Sequence, residues 1–206
     1  MKEIVIVDYN LGNITSIQRA LNFLGYKSTI SNDPNKIRTS SKIILPGVGA
    51  FPTAMEYLSK FDLIEALNDA SNKGSHILGI CLGMQLFMES SNEFAETKGL
   101  SFIEGNVISI NDKFDKRIKL PSIGWYRIYE KKKDKIMNEI KHNQWFYFVH
   151  SFMVNCKNEK NVIAEYKLNN NLVTAIIKKD NITGLQFHPE NSGKEGLTFL
   201  RNFCNE

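Results

Sequence analysis

His76-Ile77-Leu78-Gly79-Ile80-Cys81-Leu82-Gly83 carries the reading of the fold. An apolar strand signal over residues 76–80 runs straight into a cysteine with glycine two residues before and two after. A strand that turns at once into a helix with small residues at those spacings is a nucleophile elbow. The backbone there is strained and crowded, so a side chain at either glycine would block the turn. The elbow lifts the central side chain clear of the sheet and sets it at a helix N-terminus, where the dipole favours a thiolate. The helix is expected to run to about Met88. A lone cysteine in an apolar strand is ordinarily a packing residue; the paired glycines and the strand before them favour a reactive Cys81.

Upstream, strand and helix signals alternate. Ile4 to Asp8 is a short apolar strand, Asn10-Leu11-Gly12-Asn13 is turn chemistry with Asn13 as N-cap, and Ile14, Ile17, Leu21 and Leu24 recur at helical spacing until Gly25. Lys27 to Ser31 reads as a second strand, Asp33-Pro34 as a break, and Ile43-Ile44-Leu45 as a third strand halted at Pro46-Gly47-Val48-Gly49. A helical pattern over Thr53 to Asn72, broken near Ser59, closes at Gly74. Four such units in under ninety residues predict a parallel sheet with helices on both faces. Downstream, residues 103–110, 147–154, 162–166, 172–178 and 182–187 read as strands. Their connections are too short for helical crossovers, so some are antiparallel. A last helix runs from about Gly193 to Phe203. The expectation is one α/β domain over residues 1–206, a three-layer, flavodoxin-like sandwich with a mostly parallel central sheet and added antiparallel strands.

With 206 residues, 42% hydrophobic and 23% charged, the chain is long enough for a core that needs neither metal nor disulfide. Three cysteines, Cys81, Cys156 and Cys204, form no Cys-x-x-Cys pair, which argues against a disulfide framework or zinc ribbon and for a reducing compartment. No apolar run approaches the ~20 residues of a membrane span. Met1-Lys2-Glu3 followed directly by Ile4 lacks the order of parts of a signal peptide, so a cytoplasmic protein is expected. The net charge is +4, and most of the basic excess is local, in residues 113–119 and 131–135, without interleaved aromatics. It reads as a solvated face or a protein-docking patch rather than a nucleic-acid site.

A nucleophilic cysteine needs a base, and the base an orienting partner. Among the four histidines, His76 opens a buried strand and reads as core, His142 as surface, and His150 lies in a strand near the site. His188 is the best base. In an extended His188-Pro189-Glu190, residues i and i+2 point the same way, so the Glu190 carboxylate can reach the ring and set its tautomer. Pro46-Gly47-Val48-Gly49-Ala50-Phe51 ends a parallel strand, where α/β sheets keep their sites. Pro52 stands where a G-x-G-x-x-G phosphate loop needs glycine, and no Walker lysine follows. The better reading is that backbone N–H groups of Gly47, Val48 and Gly49, with that of Leu82, face an oxyanion; taken alone, the motif is also compatible with a plain strand-to-helix turn.

Taken together, Gly79-Ile80-Cys81-Leu82-Gly83-Met84-Gln85, Pro46-Gly47-Val48-Gly49 and His188-Pro189-Glu190 resemble the class I glutamine amidotransferases of Cys-His-Glu type. Asp8-Tyr9, Gly12-Asn13, Gly124-Trp125, residues 147–151 and Gln186 to Glu190 narrow the likeness to the glutaminase subunits of histidine biosynthesis. The resemblance covers essentially the whole chain. It implies Cys81 as nucleophile, His188 as acid and base, Glu190 as orienter, and Gly47, Val48, Gly49 and Leu82 around the oxyanion. It further implies Gln85 and Glu93 as holders of the substrate L-glutamine, and backbone groups of Ser151 and Phe152 presented to it. No metal or cofactor is implied. The implied partner is a (β/α)₈-barrel cyclase or synthase that receives the ammonia and forms a heterodimer, with Asn13, Trp125 and Asn191 on the docking side. Three stretches depart from the usual pattern: Asn10 replaces a glycine after Asp-Tyr, Pro121-Ser122-Ile123-Gly124-Trp125-Tyr126 replaces Pro-His-Met-Gly-Trp-Asn, and Asn191 replaces a lysine after His-Pro-Glu. Because these lie on the docking side, a paralogue serving another synthase, such as one aminating a surface sugar, is the alternative. A regulatory subunit of the same fold or a free-standing cysteine hydrolase are others, and the intact triad residues weigh against the former.

Overall fold

The computed structural model describes residues 3–141 and 144–206; His142 lies outside them. The N-terminal half alternates as expected: β1 (Ile4–Val7), α1 (Ile14–Phe23), β2 (Ser28–Ser31), α2 (Pro34–Thr39), β3 (Lys42–Leu45), α3 (Phe51–Lys60), α4 (Leu63–Asn72) and β4 (His76–Ile80). There follow α5 (Leu82–Gln85), β5 (Met88–Ser91), β6 (Thr97–Lys98), β7 (Ile103–Ser109), α6 (Ile110–Lys113), β8 (Ser122–Glu130), β9 (Trp145–His150) and β10 (Phe152–Cys156). β11 (Val162–Leu168), β12 (Asn171–Lys179), β13 (Ile182–Leu185) and α7 (Gly193–Asn205) complete the chain.

A nine-stranded sheet, in the order β2-β1-β3-β4-β13-β12-β11-β8-β9, forms the centre. Its first five strands are parallel, and from β13 onward every neighbouring pair is antiparallel. The early strands are apolar at consecutive positions because both faces are covered. In β1, Ile4 and Ile6 enter a core with α1 and α7, whereas Val5 and Val7 enter a second core with α2, α3 and α4. Full burial of each such side chain stabilises by about 1.5–3 kcal/mol. A second sheet, β10-β7-β5-β6, adds Met88, Ile103, Val107 and Val154 to the latter core. This is the three-layer α/β arrangement expected.

Local differences have physical causes. Asp33-Pro34 starts a helix rather than merely breaking the chain: the Asp33 carboxylate accepts from the Asn35 N–H at 2.9 Å and Pro34 occupies the first turn, where no N–H is needed. Asn13 holds the N-cap position of α1, but its side chain makes no capping bond. The helix after Cys81 is one turn long instead of reaching Met88, since the chain leaves it to form β5. Residues 147–154 are two strands, not one: the chain switches sheets at Ser151, with β9 in the central sheet and β10 in the smaller one. The strands β5, β6 and β8 have no counterpart in the sequence reading; β8 carries polar and apolar residues at both parities, which hides its period.

Candidate active site

The elbow owes its shape to mutual contact of its glycines. A Cβ on Gly83 would lie 1.9 Å from the Leu45 carbonyl oxygen, and one on Gly79 would meet Gly83 backbone atoms at 2.6 Å. Helix α5 can therefore leave β4 only with hydrogen at both positions. Cys81 is held at φ 55°, ψ −110°, a left-handed conformation that costs a non-glycine residue about 1–3 kcal/mol. The single turn of α5 has little of a helix dipole to offer, so the expected favour to a thiolate from that source is small.

Cys81 opens onto a cleft of about 520 Å³, lined among others by Val48, Gly49, Gln85, Glu93, Phe94, His150, Ser151, Phe152 and His188. Thus the elbow, the Pro46–Phe51 loop, the β9–β10 junction and the segment after β13 meet at one place, at the carboxyl ends of β3, β4 and β13. His188 Nδ1 lies 2.8 Å from Glu190 Oε1. A carboxylate only accepts, so Nδ1 carries the proton and Nε2 faces the site. That Nε2 is buried and has no hydrogen-bond partner among the described residues. Burial opposes charge on the ring, but the adjacent Cys81 sulfur and the Glu190 carboxylate outweigh it and push the His188 pKa up to about 10. Pro189–Asn191 is a 3₁₀ turn rather than an extended segment, and Glu190 reaches His188 through that turn. The turn is clamped: Ser192 Oγ donates to the His188 carbonyl at 2.6 Å and accepts from the Tyr147 N–H at 3.0 Å.

The oxyanion expectation is altered in one respect. Val48 and Gly49 line the cleft, but Gly47 is buried beneath it, and its carbonyl accepts from the Leu82 N–H at 3.3 Å. In this conformation the Leu82 N–H is not free. The buried Tyr9 hydroxyl props the same loop from below by donating to the Pro46 carbonyl at 2.7 Å.

Gln85 and Glu93 both reach the cleft. Glu93 Oε2 accepts from the Phe51 N–H at 2.7 Å; burial raises its pKa, partly offset by that hydrogen bond. Gln85 Nε2 donates both protons to protein acceptors, the Phe152 carbonyl at 3.0 Å and Gln186 Oε1 at 3.1 Å, so a ligand can meet only its oxygen. The Phe152 carbonyl also accepts from His150 Nδ1 at 2.7 Å, which fills both of its lone pairs, and the Ser151 carbonyl accepts from the Ile110 N–H. The Phe152 carbonyl is therefore engaged within the protein; Ser151 and Phe152 both line the cleft.

His150 is buried behind the cleft, with Nε2 2.8 Å from the Tyr166 hydroxyl. Burial, reinforced by the charge on His188 and opposed by the Phe152 hydrogen bond, lowers its pKa to about 4. His76 is no core residue: its side chain is 36% exposed, with Nδ1 3.7 Å from a Glu206 carboxylate oxygen.

Of the expected docking residues, Trp125 and Asn191 are exposed and Asn13 is half-buried. Trp125 belongs to a strip on β8 and β9 that includes Ile123, Tyr129 and Trp145, each at least 45% exposed, with the Arg127 guanidinium 4.8 Å over the Trp145 ring. Ring contacts lead inward from Trp125 to Tyr147 at 5.9 Å and on to His188 at 6.4 Å. The 131–133 lysines are exposed, and Lys131 is paired with Glu159 and Glu165. Gln186, which touches Cys81, carries no chemical motif of its own; its sequence signal is position, two residues before His188 and four before Glu190.

A strained cysteine on an elbow, facing a histidine braced by glutamate, is the arrangement of a covalent acyl-transfer enzyme, and this chain belongs to the class-I glutamine amidotransferase family, whose model matches residues 5–206. More particularly, it is 42% identical over 206 residues to the imidazole glycerol phosphate synthase subunit HisH of Lactococcus lactis, covering 100% of both chains. It is 42% identical over 201 residues to the HisH subunit of Sulfurimonas denitrificans, covering 97% of this chain and 96% of that one. In fold it resembles a solved structure of PurLQS from Thermotoga maritima, with a TM-score of 0.77 at 18% identity over 100% of this chain and 99% of that one.

Proposed function

We propose that this chain is the glutaminase subunit of an imidazole glycerol phosphate synthase, hydrolysing L-glutamine and delivering ammonia to a partner subunit. The observation that carries the chemistry is the convergence of Cys81 and His188 at one cleft, with buried Glu190 behind the His188 ring and His188 raised to about 10 beside the sulfur. Near-full-length likeness to HisH subunits supports the pathway.

In this reading the Cys81 thiolate attacks the carboxamide carbon of glutamine, forming a C–S bond. The C–N bond then breaks, and protonated His188 supplies the proton that lets nitrogen leave as ammonia. Neutral His188 next takes a proton from water, whose oxygen displaces sulfur and releases glutamate. Glu190 keeps Nδ1 protonated through both halves. Glu93 and the Gln85 oxygen hold the substrate's polar end. Val48, Gly49 and Leu82 N–H groups hold the oxyanion once the Gly47 carbonyl turns away from Leu82. That displacement is a natural point of control by the partner.

The partner is a (β/α)₈-barrel cyclase that docks on the aromatic strip around Trp125, with Asn13 and Asn191 at its margin. Exposed Trp and Arg side chains are the residue types that dominate interface energetics. The whole of residues 1–206 acts as one glutaminase module. The three free cysteines suit a reducing cytoplasm; among the described residues, no helix is long and apolar enough to cross a membrane.

A glutamine-derived electrophile is expected to label Cys81. Cys81→Ala should abolish glutamine-dependent product formation by the complex while ammonium still sustains it. Glutamine-dependent turnover surviving in Cys81→Ala would end the proposal. Capture of a sugar-modifying synthase instead of the cyclase would redirect the pathway.

A further inference from the structure

Gln186 is fully buried, and its amide bridges two residues of the cleft. Its Oε1 accepts from Gln85 Nε2 at 3.1 Å, and its Nε2 lies 3.7 Å from Cys81 Sγ. The two ends of a glutamine amide are alike in shape, so the direction of such a bridge depends on its neighbours. Here a backbone carbonyl settles it. The Phe152 oxygen can only accept, so the Gln85 end that meets it must be the NH₂. The second proton of that NH₂ points at Gln186, so Gln186 must answer with its oxygen. The only orientation left turns the Gln186 NH₂ toward sulfur.

We infer that Gln186 is a positioning residue for the nucleophile, its amide donating to Cys81 Sγ and favouring the thiolate in the attacking position. This rests on the reading of Cys81 as nucleophile. A donor to the charged form of an acid lowers its pKa, and a neutral donor does so without adding a countercharge that would hold the sulfur back. Another polar contact of the sulfur, the Val149 carbonyl at 3.9 Å, suits the thiol, since an S–H can donate to it and a thiolate cannot, whereas the adjacent His188 ring favours the ionised form as Gln186 does. The sulfur thus sits between an acceptor that favours the protonated form and a donor that favours the ionised one. The short helix after Cys81 leaves this donor a larger share of the work than a long helix would. Because Gln85 also lines the cleft, the relay joins the glutamine pocket to the sulfur through two amides.

The titratable groups around the sulfur are His188, with Glu190 behind it, and Tyr9; His150 lies beyond His188. All are unchanged in Gln186 variants. The experiment is the pH dependence of iodoacetamide alkylation at Cys81 in the full chain, read at the Cys81 peptide by mass spectrometry so that Cys156 and Cys204 do not intrude. In Gln186→Leu the midpoint is expected to rise by about one pH unit, a loss of up to tenfold in thiolate below it. In the complex, kcat for glutamine should fall more than KM rises. An unchanged midpoint in folded Gln186→Leu overturns the inference. If that variant does not fold, Gln186→Met is read in the same titration. In the unaltered protein, the Gln186 side-chain NH₂ resonances should shift as Cys81 titrates; their indifference to it also overturns the inference. Neither failure touches the glutaminase reading, which stands or falls on Cys81→Ala.

Discussion

Gly83 leaves no room for a Cβ beneath the Leu45 carbonyl, 1.9 Å from where that atom would stand, and this close approach fixes the turn that sets Cys81 against the cleft. The strand carrying Leu45 and the turn carrying Gly83 are neighbours through β3 and β4, so the elbow is built into the sheet rather than attached to it.

Gly83→Ala should accordingly be among the most damaging single changes outside the triad. Backbone cannot yield as a flexible side chain does, and the expected cost is at least about 3 kcal/mol. Thermal unfolding of the soluble fraction, or its disappearance on expression, checks this. A melting temperature within a degree or two of the parent would contradict it.

The strain at Cys81 inverts an ordinary preference. Glycine is usually less stable than alanine, but at φ 55° it avoids the clash of a Cβ. Cys81→Gly is therefore expected to be more stable than Cys81→Ala by about 1 kcal/mol, with both inactive on glutamine. Denaturant unfolding of the two variants side by side gives the answer, and the opposite order would show that Cys81 is not strained.

Glu190→Gln removes the carboxylate that keeps His188 charged and correctly protonated. Glutamine hydrolysis by the complex should fall on the order of 10³- to 10⁴-fold, as when an orienting carboxylate is neutralised in comparable triads. The His188 titration, followed by NMR, should move down from about 10. Because the folded pKa is raised, the associated stability is fully present below the ring's ordinary 6.5 and is lost as pH rises through about 10. The stability gap between parent and variant should close over that window.

His150 acts in the opposite sense. With its folded pKa lowered to about 4 by burial, its contribution is present above 6.5 and lost as pH falls toward 4. The loss is about 3 kcal/mol, from roughly 1.4 kcal/mol per pH unit. His150→Gln should be less stable than the parent near neutrality yet show a flatter decline in acid. Urea midpoints measured from pH 7 to pH 4 test the slope; parallel declines would assign the acid sensitivity elsewhere.

Much of this was legible in order along the chain. The apolar runs at residues 4–7, 43–45 and 76–80 announced parallel strands because both of their faces had to be covered. Gly79 and Gly83 announced the elbow because no other residue fits. The pairing of His188 with Glu190 followed from spacing, although a 3₁₀ turn rather than extended chain delivers it. Where local signals were mixed, as in β8, or where a helix was cut short by a strand pairing with distant residues, as after Gln85, no window of neighbouring residues held the answer.

The sequence by itself therefore determined the fold class and singled out Cys81 on its elbow and His188 beside Glu190, since each rests on backbone sterics or near-neighbour geometry. The tertiary structure alone decided the state of the site. The Gly47 carbonyl on the Leu82 N–H, the Gln85 amide on the Phe152 carbonyl and the directed amide of Gln186 join residues tens of positions apart. A hydrogen bond has a direction only when both partners and their other obligations are in place, and those are properties of the packed molecule.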